Sequence, residues 1–142
     1  MENADVRRRI RAAIEAARRQ AAERRARSDT AARDYTAFLT DRAVPMFRQI
    51  AAVLSAEGHR FQVSTPSDSV RLSADGAGDN FVELAFDPTQ DPPRVIGRSN
   101  RGRGRRAVTT ERAIREGVAI ADLTDADILE FVAVELVALL AR

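Results

Sequence analysis

Five short segments decide the fold of this chain: FQVST (61–65), SVRLS (69–73), FVELAFD (81–87), RVIGR (94–98) and RRAVTTER (105–112). Each alternates apolar and polar residues, and Pro, Gly, Asp and Asn lie between them. A period of two residues is typical of strands with one buried face, and short polar connections favour an antiparallel meander. The sequence predicts four or five strands. A short helix over Thr109 to Glu116 is the alternative for the last segment.

The chain before these segments has a helical pattern. Residues 3–33 are rich in Ala, Arg, Glu and Gln, which are strong helix formers, and they contain no Gly or Pro. From Tyr35 to Leu54 the apolar residues recur with the spacing of an amphipathic helix. Pro45 lies inside this pattern, so we expect either a kink there or a new helix after a Thr40/Asp41 cap.

A second helical pattern ends the chain. Thr124 can cap it, and Asp127 lies three residues on, where a capping-box acid belongs. Apolar residues then wrap most of the circumference of ILEFVAVELVALLAR, apart from Glu130 and Glu135. A helix this apolar is expected to be buried on more than one side, against the sheet and against either the other helix or a second subunit.

These elements predict an α+β fold with a long N-terminal helical segment, a four- or five-stranded antiparallel meander, and a C-terminal helix on the sheet. Residues 1–33 are predicted to be a helical arm and residues 34–142 a single domain. In element order, the chain looks like the small dimeric chaperone and adaptor proteins that pair helix–sheet–helix units. The expected core residues are Phe47, Ile50, Leu54, Val70, Leu72, Val82, Leu84, Phe86, Ile128, Val132, Leu136 and Leu139.

A weak seven-residue repeat runs along the arm at alternating spacings of three and four, which is the pattern of a coiled coil. Its middle is small or polar, so it allows close helix packing but buries little area. A dimerisation arm and a solvated helical extension are the two interpretations, and the first is favoured because a long helix with little apolar surface gains from a partner. The candidate oligomerisation residues are Ile10, Ile14, Ala17, Ala21, Tyr35 and Phe38.

A Gly/Arg segment follows the fourth predicted strand. Gly allows close approach of the backbone to a surface, and the Arg guanidinium offers forked donors to phosphate. The Arg101-Gly102-Arg103 core resembles the minor-groove AT-hook, although Gly104 stands where the hook has Pro. The resemblance implies nucleic-acid binding, whereas the other interpretations are a solvated hairpin tip and an Arg tip that pairs with the acidic zone of a second subunit. The candidate nucleic-acid-binding residues are Arg98, Arg101, Arg103, Arg105 and Arg106.

Composition argues against most enzyme chemistry. The chain has no Cys and no Lys, and His59 is its one histidine. A thiol nucleophile, a Schiff base and a P-loop are therefore excluded, and a His-based catalytic or metal site is disfavoured. We expect no catalytic residue, metal or cofactor. The N-terminus has no apolar signal segment and the longest apolar stretch, residues 131–141, is too short to span a membrane, so we expect a cytoplasmic protein.

Charge is zoned along the chain. Residues 1–27 carry nine Arg and four acids, and residues 94–106 carry six Arg and no acid. Residues 57–93 carry seven acids and two Arg. Zoning of this kind suits charge-directed association. The sequence therefore favours a self-associating, protein-binding module, adaptor-like or chaperone-like, with sequence-nonspecific nucleic-acid binding as the alternative.

Overall fold

The computed structural model describes residues 1–76, 79–103 and 106–141. It has a long N-terminal helical path, five antiparallel strands among these residues, and a C-terminal helix on the sheet, which confirms the predicted α+β fold. The elements, in chain order, are α1 (Asn3–Phe38), a π-helical turn (Leu39–Ala43), α2 (Val44–Ala56), β1 (Phe61–Ser64), β2 (Val70–Ala74), β3 (Phe81–Asp87), β4 (Arg94–Arg103), β5 (Arg106–Ala113), a 3-10 turn (Ile120–Asp122) and α3 (Asp125–Leu140).

The helical path passes Pro45 without a break. Because proline has no N–H, it removes an α-helical hydrogen bond and its ring crowds the preceding turn. The π-helical turn Leu39–Ala43 lies directly before α2, whose first turn holds Pro45. No side chain caps α2, so the predicted new helix after a Thr40/Asp41 cap is wrong. One helical path therefore joins the arm to the body.

The sheet is a meander in which each strand pairs with its neighbours in the chain, in the order β1-β2-β3-β4-β5. Val70 pairs with Leu84, and Leu84 with Gly97, so apolar positions align on one face. The last segment is strand over Arg106–Ala113 and pairs with β4, so the helical alternative over its Thr109–Ala113 part is wrong. β5 and the four-residue β1 are the two edges of the sheet.

Both later helices cover the same face of the sheet. α2 packs on β1 and β2, while α3 packs on β3 and β4 and contacts α2. The predicted core is confirmed, since each expected residue is buried or packed against the buried cluster. Eight large side chains are almost fully buried at its centre: Phe47, Phe131, Leu72, Leu84, Ile128, Val70, Val82 and Val132.

Gly97 lets α3 lie close to the sheet. A Cβ atom built on Gly97 would fall 2.1 Å from Cζ of Phe131, and 2.5 Å from two more atoms of that ring. The Phe131 ring thus occupies the space that a side chain at residue 97 would need. Arg112 on β5 covers the same ring, with its guanidinium carbon 4.5 Å from the centroid, so the helix is held over β4 and β5.

The opposite face of the sheet carries a row of alternating charges. Arg71, Glu83, Arg98 and Glu111 are aligned across β2, β3, β4 and β5. Glu83 accepts hydrogen bonds from Nε and Nη2 of Arg71 at 2.8 and 2.6 Å, and its other oxygen lies 3.6 Å from Arg98. Arg98 also contacts Glu111 at 3.3 Å. The Glu83 side chain is only 5% exposed. Removing either Arg71 or Arg98 would therefore leave a buried carboxylate with an incomplete ion pair.

Leu84→Ala is expected to lower the free energy of unfolding by about 2–5 kcal/mol, because it removes a fully buried side chain from the centre of the core. Val53→Ala is the control, since Val53 is 56% exposed on α2, and it should change stability by less than about 0.5 kcal/mol. Chemical denaturation followed by circular dichroism gives both values. An unchanged midpoint for Leu84→Ala would show that the facing of β3 is wrong.

Candidate association surfaces

The first part of α1 projects away from the body. In the described chain, the side chains of residues 3–23 form no hydrogen bond or ion pair with the sheet, α2 or α3, and they are exposed except for the half-buried Ala16. At about 1.5 Å per residue, this segment is roughly 30 Å long. Helix formation here is supported by the strong propensities of Ala, Arg and Glu, and not by packing within the chain.

One stripe of small and apolar residues follows the projecting segment, and we call it the arm stripe: Val6, Ile10, Ile14, Ala17 and Ala21. Its two isoleucines are 55% and 45% exposed. The same seven-residue pattern continues through Ala31, Tyr35 and Phe38, which are buried in the chain's own core. On a straight helix the pattern drifts by about 20° per repeat. The arm stripe is therefore the exposed continuation of the buried side of α1.

The six candidate oligomerisation residues thus fall into two groups. Tyr35 and Phe38 pack inside the body, where Tyr35 stacks on Phe86 with the ring centroids 4.9 Å apart. The Tyr35 hydroxyl donates to the carbonyl oxygen of Asp68. Ile10, Ile14, Ala17 and Ala21 are exposed, so these four are the ones free to meet a partner.

Two contacts fix the base of the arm. Arg27 donates from Nε and Nη2 to the two carboxylate oxygens of Asp91, both at 2.9 Å. This bidentate pair holds the pKa of the Asp91 carboxyl below its ordinary value. The pair is solvent-exposed and is expected to stabilise the fold only slightly. The main anchor is therefore the burial of Ala31, Tyr35 and Phe38 in the core, together with the contacts of α1 to the 3-10 turn. An open cleft of about 660 Å³ lies between the arm base and two segments of the body, residues 90–94 and 115–120.

The projecting segment is basic along one side of its stripe. Arg11, Arg18 and Arg25 recur every seven residues, which places them in one row beside the arm stripe. Arg24 lies within the seven-residue pattern itself, 3.9 Å from Asp91. A partner that covers the arm stripe must therefore also face a row of guanidinium groups.

The solvent side of α3 is the second exposed apolar surface. We call it the α3 outer face: Leu129, Ala133, Val137 and Leu140, with Val134 beside it. Val137 is 70% exposed and Leu129 is 49% exposed. The predicted burial of this helix against the sheet and the preceding helix is confirmed, since α3 contacts β3, β4, α2 and the π-helical turn. Its remaining side faces solvent in the described chain. Contiguous exposed apolar surface is one feature of protein interaction sites, so this face is a candidate surface.

Polar contacts hold α3 in place from its other side. Thr124 and Asp127 form the predicted capping box, with the Asp127 carboxylate accepting from the Thr124 N–H at 2.9 Å. That bond, with the nearby Arg115 as a smaller contribution, keeps the pKa of Asp127 low. Further along, Glu135 accepts from the Ser99 hydroxyl at 2.8 Å and lies 3.3 Å from Arg112. These contacts leave the α3 outer face free.

The arginines of the β4–β5 hairpin do not gather into one described cluster. Arg98 lies in the charge row between Glu83 and Glu111. Nη1 of Arg101 lies 3.5 Å from the carbonyl oxygen of Ala138, near the end of α3. Arg106 is exposed on the edge strand. Arg105 and the side chain of Arg103 lie outside the described residues. Two of the five candidate nucleic-acid-binding side chains thus make contacts within the chain.

A metal site and a membrane-spanning helix are not evident in the part of the chain that the structure describes. Among residues 1–76, 79–103 and 106–141 there is no group of three or more His, Cys, Asp and Glu side chains placed to hold a metal ion. Over the same residues, none of the helices combines the length and apolarity that crossing a membrane requires. Comparisons with protein-family models, curated proteins and solved structures find no match to this chain.

Tyr35 provides a test of the anchored arm base, because it is the one tyrosine and the chain has no tryptophan. Burial, and then the charges of Asp68 and Glu83, raise the pKa of its phenol above the ordinary value of about 10. The folded protein therefore keeps the phenol protonated above pH ~10. The contribution of this group to the free energy of unfolding is fully present below pH ~10 and decreases as pH rises further.

Tyrosinate absorbance measured against pH checks this expectation. In the folded protein the signal should rise only together with unfolding, while the denatured chain should titrate near pH ~10. A folded-state titration near pH ~10 would show that Tyr35 is accessible to solvent and that the arm base is not anchored as described.

Proposed function

We propose that this protein is a non-enzymatic, self-associating module that binds another protein, acting as an adaptor or chaperone-like component. The observation that carries the proposal is the arm stripe, which continues the buried side of α1 but is exposed in the single chain. The α3 outer face adds a second apolar surface without a cover in the described chain. Covering either surface removes apolar area from water, at about 25 cal/mol per Å².

The simplest assembly is a homodimer. Most soluble homo-oligomers are closed and symmetric, and twofold dimers are the commonest of them. A projecting helix of roughly 30 Å cannot bury its own stripe. A second copy of the chain supplies an equal amount of apolar surface that can cover it. We expect the arm to be better ordered in the dimer than in the single chain, since packing contributes more to helix stability than propensity does.

The sheet offers a place for the second protein. β5 is an eight-residue edge strand whose residues are exposed, apart from the last, Ala113. An exposed edge presents unpaired N–H and C=O groups, to which an extended segment of another chain can add as a further strand. Arg106, Glu111 and Arg112 on this strand provide charges that discourage nonspecific edge pairing. β5 is therefore the strand that we expect to receive a partner protein.

Nucleic-acid binding is the second candidate, and the basic arm is the feature that favours it. Arg7, Arg9, Arg18 and Arg19 are exposed and have no ion-pair partner among the described residues. Such binding would weaken steeply with salt and depend little on the apolar stripe. Arg98 and Arg101, by contrast, are already in contact with other groups of the chain, which favours the protein-binding proposal.

Replacing Ile10 and Ile14 together with Asp is expected to weaken self-association by roughly tenfold or more, because it places two charges in the covered stripe. Ala12→Asp with Ala16→Asp is the matched control: it has the same spacing and charge change, but lies on the side of the helix away from the stripe. Light scattering over a dilution series gives the dissociation constants, and far-ultraviolet circular dichroism checks that the body stays folded.

Full-length protein that is monomeric at tens of micromolar would contradict the proposal. So would equal weakening by both double variants, because that result would indicate a response to charge alone. Strong salt-dependent binding of duplex DNA that survives the Ile10/Ile14 substitutions would favour the nucleic-acid function instead.

A further inference from the structure

We infer that the arm of one copy docks on the α3 outer face of a second copy, so that the dimer forms by exchange of arms. This inference rests on the proposed self-association and adds the surface that receives the arm. Each of the two surfaces is exposed in the single chain, their apolar residues have the same spacing, and the charged residues beside them are of opposite sign.

The apolar patterns of the two surfaces match in spacing. Val6, Ile10, Ile14 and Ala17 in the arm are separated by four, four and three residues. Leu129, Ala133, Val137 and Leu140 on α3 have the same separations. Each set forms one stripe about three turns long, and each mixes large residues with alanine, so that large side chains can pack against small ones across a helix pair.

The charges of the two surfaces are opposite. Residues 1–27 carry nine Arg and four acids, whereas α3 carries four acids and no Arg. Three of these acids, Asp125, Asp127 and Glu135, already pair with arginines of their own chain. On α3, Glu130 lies beside the outer face, is exposed and has no ion-pair partner among the described residues. In the docked pair, the row Arg11, Arg18 and Arg25 beside the arm stripe can reach Glu130. A contact between two arms, or between two α3 outer faces, lacks this attraction between opposite charges.

Arm-to-arm pairing is the alternative, and the charges disfavour it. An antiparallel pair of arms would bring the two rows of Arg11, Arg18 and Arg25 face to face. A parallel pair would place Arg24 next to its own copy within the stripe and would oppose no acid to the arginine row. Pairing of α3 with a second α3 would offer Glu130 no arginine and would leave both arms exposed. Like-charge contacts of this kind destabilise an interface.

The arm cannot reach the α3 of its own chain. α1 is one uninterrupted helix up to Phe38, and the packing of Tyr35 on Phe86 and the Arg27–Asp91 pair fix the direction of its last turns. Folding the arm back would require breaking the helix between residues 23 and 31, where no Gly or Pro occurs. A second copy is therefore the source of the arm. In a twofold dimer the contact forms twice, so the buried area of the interface is twice that of one arm on one α3. Stable interfaces bury ~1,200–2,000 Å² in total.

Cross-linking between engineered cysteines tests the contact directly, and the chain is suited to it because it contains no cysteine. One sample carries Ile14→Cys and a second, distinguished by mass, carries Ala133→Cys. The samples are mixed, allowed to exchange subunits, and treated with a short bismaleimide that tolerates a shift of about one helical turn. We expect the mixed 14-to-133 product to exceed both same-site products severalfold.

Ala12→Cys replaces Ile14→Cys in the control, because Ala12 lies on the opposite side of the arm, and the excess of mixed product should then disappear. Predominance of the 14-to-14 product would overturn the inference in favour of arm-to-arm pairing and would leave the proposed self-association intact. Absence of any product from a protein that light scattering shows to be dimeric would overturn it as well. A monomeric protein would remove both the inference and the proposed function.

A second pair of variants keeps the test independent of cross-linking geometry. Val137→Asp places a charge at the centre of the α3 outer face, and Val53→Asp places one on α2, outside it. Both valines are exposed, at 70% and 56%, so neither change should unfold the body. We expect Val137→Asp to raise the dissociation constant of the dimer roughly tenfold or more, and Val53→Asp to leave it nearly unchanged. Equal effects, or none, would overturn the inference.

Discussion

The packing of Tyr35 against Phe86 at the base of the arm is the contact on which the rest of the arrangement depends. It anchors the last turns of a 36-residue helix to the sheet, with the Tyr35 hydroxyl tied to the backbone of Asp68. A helix without Gly or Pro is stiff over this length, so anchoring one end sets the direction of the other. The arm must then leave the body, and its apolar stripe must remain uncovered within the single chain.

The sheet, the two later helices and the last turns of α1 form the core, and residues 3–23 take no part in it. α2 and α3 cover one face, and their contacts bury Phe47, Leu84 and Phe131. The other face is stabilised by a row of alternating Arg and Glu side chains around the buried Glu83. The two uncovered apolar surfaces, the arm stripe and the α3 outer face, therefore add nothing to the core. Such surfaces carry a solubility cost unless a partner covers them, which is why self-association is the function that we propose.

The fold was largely predictable because its signals are local. Alternation in FVELAFD placed β3, and Thr124 with Asp127 placed the start of α3. Pro45 left a kink and a new capped helix both open, and the second is wrong, because the π-helical turn Leu39–Ala43 continues the helical path to α2 without a side-chain cap. Such a turn leaves no pattern of its own in the sequence. Gly97 was not singled out, since its role lies in the approach of Phe131 from a distant helix. The arm stripe was predictable from its repeat, but the repeat alone did not separate Tyr35 and Phe38, which the body buries, from Ile10 and Ile14.

Hydrogen exchange of the backbone amides of residues 3–23, measured as a function of protein concentration, tests the central claim most directly. If a partner copy covers the arm stripe, these amides become protected as concentration rises, in step with the molecular mass, while the amides of β3 stay protected throughout. The account predicts that coupled change. Arm amides that exchange rapidly at every concentration, or that are equally protected in the monomer, would contradict it.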